Sequence, residues 1–199
     1  MGSVMERLGR GALWFAGLLY LTKPLWTMSC HMNTGTPVCS TVAGVDLAAA
    51  LLVLFALAGI HAAPENPGML ATVSAAFTVA GAALVVGVKW MRLFVQPVLL
   101  PLLAPSGSTA HGVPAPIVLG FSVAFLSFAA GLLLTAVVFA RSRACPRWVA
   151  ALLALSAVSD LMFGGLSIAE PMLGVVLLAL AMQARVAGRR LEAQTALQA

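Results

Sequence analysis

The stretch that decides the fold is residues 148–184, WVAALLALSAVSDLMFGGLSIAEPMLGVVLLALAMQA. Two apolar runs flank a Gly164-Gly165 break, and Glu170-Pro171 sets up the second run. A bilayer crossing takes about 20 apolar residues, so two crossings and a turn fit tightly here. Either both helices are short, or one is re-entrant. Arginines bracket the stretch, with Arg141, Arg143 and Arg147 before it and Arg185, Arg189 and Arg190 after it. A hairpin puts both clusters on one side of a membrane, as the positive-inside rule asks, whereas a single crossing separates them.

Working outward, four more apolar runs appear, over residues 11–28, 43–63, 69–88 and 116–140. The first follows Arg7 and Arg10 like a signal peptide, but Lys23-Pro24 falls late in it and no small-x-small cleavage site follows, so a retained anchor helix is expected. Pro64-Glu65-Asn66-Pro67-Gly68 makes a tight connector between the second and third runs. Pro116 and Pro146 can open the fourth and fifth at the first helical position, where the missing N–H costs nothing.

The expected fold is therefore an all-α integral membrane bundle of six transmembrane helices, five being the other count, in a single domain over residues 1–199. Composition agrees, with 61% hydrophobic and 9% charged residues and a mean hydropathy of +1.03. Soluble domains carry roughly 25% charged residues. Residues 29–42 are expected as an external loop, 93–114 as a proline-rich interfacial or external segment, and 185–199 as a basic cytoplasmic tail. With the N-terminus inside, the internal side holds Arg7, Arg10 and the two arginine clusters, and the external side only Lys89 and Arg92. This predicts a multi-pass cell-membrane protein with both termini cytoplasmic. A helix, a polar segment and a helical hairpin occur twice, which raises a 3+3 inverted repeat as an expectation.

The net charge of +5 comes from dispersed basic residues that flank apolar runs, not from a groove-binding face, so nucleic acid is not an expected partner. Asp160 is the most informative residue. It lies about 18 Å along its helix from Trp148, within a hydrocarbon core about 30 Å thick, where an uncompensated carboxylate is expensive. Ser156, one turn back, is placed to donate a hydrogen bond to it. The topology sends Lys23, Lys89 and Arg92 toward the same external half as Asp46, Asp160 and Glu170. Two readings stay open: a polar vestibule for a small charged solute or a proton, or separate satisfaction by snorkelling lysines and by helix N-termini.

Cys30 and Cys39, on the oxidising side, are spaced for a loop-clamping disulfide. Cys30, His31 and Met32, with His111 from another external segment, are the weaker alternative of a soft-metal site. Cys145, among arginines on the internal side, reads as an untied thiol or a palmitoylation site. His61, four residues before Glu65, is a candidate proton relay. Ser74, Thr78 and Ala82 in the third run, and Ser127, Gly131 and Thr135 in the fourth, form small-residue stripes suited to close helix packing.

In size and helix count the chain resembles the substrate-binding membrane subunits of energy-coupling-factor vitamin transporters. These are small, hydrophobic six-helix proteins that dock on a partner through a small-residue surface of the first helix. Ala12 and Ala16, spaced by four, are the matching residues, and the resemblance implies that they face a partner. No phosphate-cradling loop, metalloprotease motif or nucleophile elbow occurs, and the acids are single and scattered, so catalysis by a membrane-embedded enzyme is the least expected role. The leading expectation is a non-enzymatic accessory or regulatory subunit of a membrane complex. The alternative is a transporter or solute-binding subunit with a vestibule around Asp160. Expected partners are the lipid bilayer, other membrane subunits or a second copy of the chain, and, on the alternative, a small charged solute. No cofactor is indicated.

Overall fold

A computed structural model describes the backbone of residues 2–32, 37–62, 68–95, 115–142, 145–163 and 169–198, with side chains at 9, 11–28, 40–61, 68–95, 118–142, 145–162 and 169–186. Six helices account for nearly all of it: α1 (Gly2–Met32), α2 (Pro37–Ala62), α3 (Met69–Trp90), α4 (Ala115–Ser142), α5 (Arg147–Phe163) and α6 (Ala169–Gln198). A π-helical turn, Met91–Val95, prolongs α3. No strand occurs among the described residues.

Four segments are long and apolar enough to cross a membrane: Ser40–His61, Met69–Val95, Val118–Ser142 and Ala169–Val186. In α1 the apolar run is interrupted by Lys23 and Pro24, and α5 has 17 residues, about 25 Å of helix. Of the pair that was tight in sequence, α5 is short, whereas α6 has 30 residues, of which Ala169–Val186 are the apolar span. The start of α5 follows Pro146, whose carbonyl accepts from Val149 N–H at 3.0 Å.

Several boundaries differ from the sequence reading. Residues 29–42 are mostly helical: α1 runs on to Met32 and α2 starts at Pro37, a favoured first helical residue. Residues 185–198 prolong α6, because Arg, Glu, Gln and Ala are all good helix formers whether or not apolar solvent surrounds them. Of the proline-rich segment, residues 93–95 belong to the π turn and 96–114 lie outside the described residues.

Each helix packs against its neighbours in the chain, and α1 closes on α6, so the six form a ring. Neighbours run antiparallel, as paired positions show. A Cβ on Gly9 of α1 would fall 2.9 Å from Gly59 Cα of α2, and one on Gly174 of α6 would fall 2.6 Å from Leu21 N of α1. The first end of α1 and the last end of α6 therefore point the same way, and Arg141, Arg147 and Arg185 lie at that end of the ring. The tightest seam is α3 against α4, where a Cβ on Gly81 would meet Phe128 N at 2.4 Å and one on Gly131 would meet Thr78 N at 2.5 Å. The two small-residue stripes face each other there. This seam would divide a 3+3 repeat, yet it is packed as closely as any within a half, and the packing gives the repeat no support.

Large apolar side chains project outward on all six helices, among them Phe15, Phe55, Phe77, Leu126, Leu155 and Met182. Among the described residues the buried polar side chains are Lys23, Ser74, Thr78, Lys89, Thr135 and Ser156. An apolar exterior around a partly polar interior is the reverse of a soluble bundle and matches lipid as the outer solvent. Ala12 and Ala16 are core residues, 6% and 0% exposed. The docking surface that the transporter resemblance implied for them is absent, since both spacers serve packing within the ring.

Candidate functional site

Polar side chains gather in two layers inside the ring. The first contains Lys23, Asp46, Lys89, Asp160 and Glu170, contributed by α1, α2, α3, α5 and α6. Alternating helix direction brings them to one level. Lys23 precedes the last nine residues of α1, Asp46 follows the first nine of α2, Lys89 is next to last in α3, and Glu170 is second in α6. Asp160 sits in the final turn of α5, nearer a helix end than its distance from Trp148 suggested. Over this layer α1 and α2 extend a further 13 Å or so.

The lysines are 7% and 8% exposed, and both are paired. Lys23 Nζ donates to Glu170 Oε1 and lies 2.6 Å from Asp46 Oδ1, an ion pair whose angle falls outside hydrogen-bond geometry. Lys89 Nζ donates to Asp46 Oδ2 at 2.5 Å and lies 3.9 Å from Glu170 Oε1. Each ammonium thus meets both carboxylates. Buried charges persist only when paired this closely. The ring of Tyr20, one turn before Lys23, stands 5.6 Å from its ammonium, a cation–π contact that shields it on its remaining side.

Asp160 is different. Among the described residues it makes no ion pair and no hydrogen bond, although it borders the same space. Ser156 does not serve it: the Ser156 hydroxyl donates to Ala169 O across the α5–α6 turn at 2.8 Å, because that carbonyl in the first turn of α6 is the nearer acceptor. Asp160 instead faces a cavity of about 30 Å³ lined by Tyr20, Lys89, Phe125, Phe128, Ser156 and Glu170, together with apolar residues of α3, α4 and α6. That is room for about two water molecules.

Arg92, expected in the vestibule, is not part of it. It is exposed, and its guanidinium lies over the Phe121 ring at 5.3 Å. The π turn after Trp90 changes the helical phase, so Arg92 departs from the face that Lys89 occupies. The side chains of Cys30, Cys39, His31, Met32 and His111 lie outside the described residues, as does Glu65. Among the described residues no three His, Cys, Asp or Glu side chains converge as metal ligands would. Cys145 is a free thiol. Burial pushes its pKa up, which lowers its thiolate fraction and its reactivity.

The second layer was not read from sequence. Thr135 Oγ1 of α4 lies 2.9 Å from Ser74 Oγ and 3.0 Å from Thr78 Oγ1 of α3, 2.9 Å from Gly131 O, and 3.4 Å from His61 Nε2 of α2. A hydroxyl has one proton and two lone pairs. With its proton on Gly131 O, Thr135 accepts from Ser74 and Thr78, and His61 is its longest contact. The spacing of four in both stripes was visible, but it read as close packing and not as a hydroxyl node. Tyr20 and Trp26 were likewise not singled out. The Trp26 indole N–H, three residues beyond Lys23, is buried with no hydrogen-bond partner among the described residues.

No family model, curated protein or solved structure matches the chain. What the site does must therefore be argued from its own chemistry.

Thr135→Val keeps the shape of the node and removes its acceptor. Ser74 and Thr78 can fall back on their own helix carbonyls, so the expected cost is about 1–2 kcal/mol, at the lower end for an unsatisfied buried polar group. Thermal denaturation in detergent would read this, and an unchanged midpoint would show that the node does not hold α3 to α4.

Proposed function

We propose that the chain is a six-crossing membrane protein that binds a small charged species at the ionic layer and carries it across the bilayer. The single observation behind this reading is Asp160, a carboxylate with no partner among the described residues, on a cavity of about two waters beside four mutually paired charges. An ionisable group inside a membrane bundle is costly and is normally retained for a pathway or binding role. Two ammonium groups stand against three carboxylates, so the layer is formally one positive charge short. It is therefore suited to a positively charged guest, and the aromatic faces of Tyr20, Phe125 and Phe128 favour the same sign.

Sidedness follows from the basic residues. The arginine-rich end, with both termini, is assigned to the cytoplasm, and the ionic layer lies toward the opposite face. The accessory-subunit role draws on the short connections and the basic C-terminal residues, and neither of these asks for a half-buried acid with no partner among the described residues. It is accordingly the second reading, and it predicts that Asp160 is dispensable.

Asp160→Asn separates the two. In cells or proteoliposomes, charge-driven uptake should fall at least tenfold while the variant accumulates and elutes as the parent protein does. Retention of full uptake would remove Asp160 from the pathway. Co-purification of a stoichiometric membrane polypeptide, undisturbed by the substitution, would favour the accessory role.

A further inference from the structure

We infer that the missing positive charge is a proton, carried by the Asp160 carboxyl, and that Lys89 is the residue that responds when the proton leaves. The inference rests on the transport reading above and names the species that the site takes.

The cavity decides between a proton and a larger cation. At about 30 Å³ it holds about two water molecules, too little for a cation with its hydration shell. A dehydrated alkali or alkaline-earth ion needs about six oxygen ligands or more. The lining offers few: the Asp160 carboxylate, the Ser156 hydroxyl, the Tyr20 hydroxyl and the Glu170 carboxylate, against Val85, Phe125, Phe128, Leu132, Ala169 and Leu173. Glu170 Oε1 is already held by Lys23, which leaves fewer than six free side-chain oxygens on the wall even with the lone pairs of Ser156 counted. A proton needs only one carboxylate oxygen and makes the layer neutral.

The surroundings of Asp160 are specific. Among the described residues, α4 lines its cavity with Phe125, Phe128 and Leu132, none of which titrates. From α6 it faces Glu170, from α3 Lys89 and from α1 Tyr20, while Lys23 and Asp46 complete the layer behind them. Protonation forms an O–H bond on Asp160 at the expense of a hydronium in the cavity, leaving water. Release returns the proton to water and leaves three carboxylates for two ammonium groups. Lys89 is the mobile partner because its contacts are unequal: 2.5 Å to Asp46 and 3.9 Å to Glu170, with its side chain already on the cavity wall beside Asp160. Lys23, held by both of its carboxylates and covered by Tyr20, stays. Proton loss thus draws Lys89 off Glu170 toward Asp160, which changes how α3 is tied to α5 and α6.

The test is infrared difference spectroscopy of the whole protein in phosphatidylcholine–phosphatidylglycerol vesicles across a pH series, read at the carbonyl stretch of a protonated carboxylic acid. The expected result is a protonated-acid band that survives to neutral pH, disappears in Asp160→Asn and moves to a glutamic-acid position in Asp160→Glu. The second variant keeps the assignment secure if the first folds poorly. A neutral-pH spectrum without such a band, or with a band indifferent to both substitutions, overturns the inference. Proton flux into the same vesicles, followed with a trapped pH dye under an imposed potential, tests the transport reading separately. A band without flux leaves the proton site standing and removes transport, and flux without the band does the reverse.

Discussion

Lys23→Met should unfold the protein or leave it several kcal/mol less stable. The substitution keeps the length and apolar stem of the side chain and removes only the ammonium that joins Asp46 of α2 to Glu170 of α6. Lys89 alone would then face the Asp46 and Glu170 carboxylates. Breaking a buried ion pair from one side costs about 3–5 kcal/mol, because the orphaned charge has neither partner nor water. The revealing control is Lys23→Met with Glu170→Gln, which lowers the charge on both sides. Much of the loss should return, since replacing a buried pair by neutral groups of similar size is often close to neutral. A single variant as stable as the parent would mean that water reaches the layer and screens it.

The other large effect lies in the α3–α4 seam. Gly81→Leu places a branched side chain where a single Cβ would already meet the backbone of Phe128 at 2.4 Å and that of Ser127 at 2.8 Å. Backbone on a packed helix cannot give way as the end of a flexible side chain can, so α3 and α4 must separate. Separation also breaks the Ser74, Thr78 and Thr135 contacts one and two turns away. Overpacking alone costs about 1–3 kcal/mol, and the hydroxyl node adds to it. The expected readout is loss of the monodisperse peak on size-exclusion chromatography, with the equivalent change at Gly87, where a Cβ meets nothing within 4 Å, harmless. Equal tolerance at both positions would contradict the close crossing.

The order of the helices was legible because their punctuation is chemical, while their number stood at six or five. Pro64 to Gly68, Pro146 and the arginine clusters mark where the chain stops and turns. Helix ends were less legible where polarity was taken for loop: residues 185–198 are polar and helical at once. The composition of the ionic layer was largely visible too, since alternating helix direction alone sends Lys23, Asp46, Lys89, Asp160 and Glu170 to one end. Their pairing was not, because helices that are apolar nearly all round give no signal for which way a given residue faces. Arg92 shows the cost of that missing phase: three residues from Lys89, it was grouped with the layer and instead lies on Phe121. Ser156 shows the same for acceptors, as its hydroxyl turns to a backbone carbonyl of the next helix and away from the acid one turn along.

Everything proposed for the site depends on the ring being threaded through a membrane with its arginine-rich end on one side. The most direct check uses single cysteines in a background carrying Cys30→Ser, Cys39→Ser and Cys145→Ser, labelled with a membrane-impermeant maleimide in intact cells and after lysis. Gly68→Cys, Arg141→Cys and Arg185→Cys should be protected until lysis, and Met28→Cys, Thr41→Cys and Trp90→Cys should react from outside. Reaction of Arg185→Cys from the same side as Thr41→Cys would show that α6 does not return across the bilayer, and the layered arrangement of charges would fall with it.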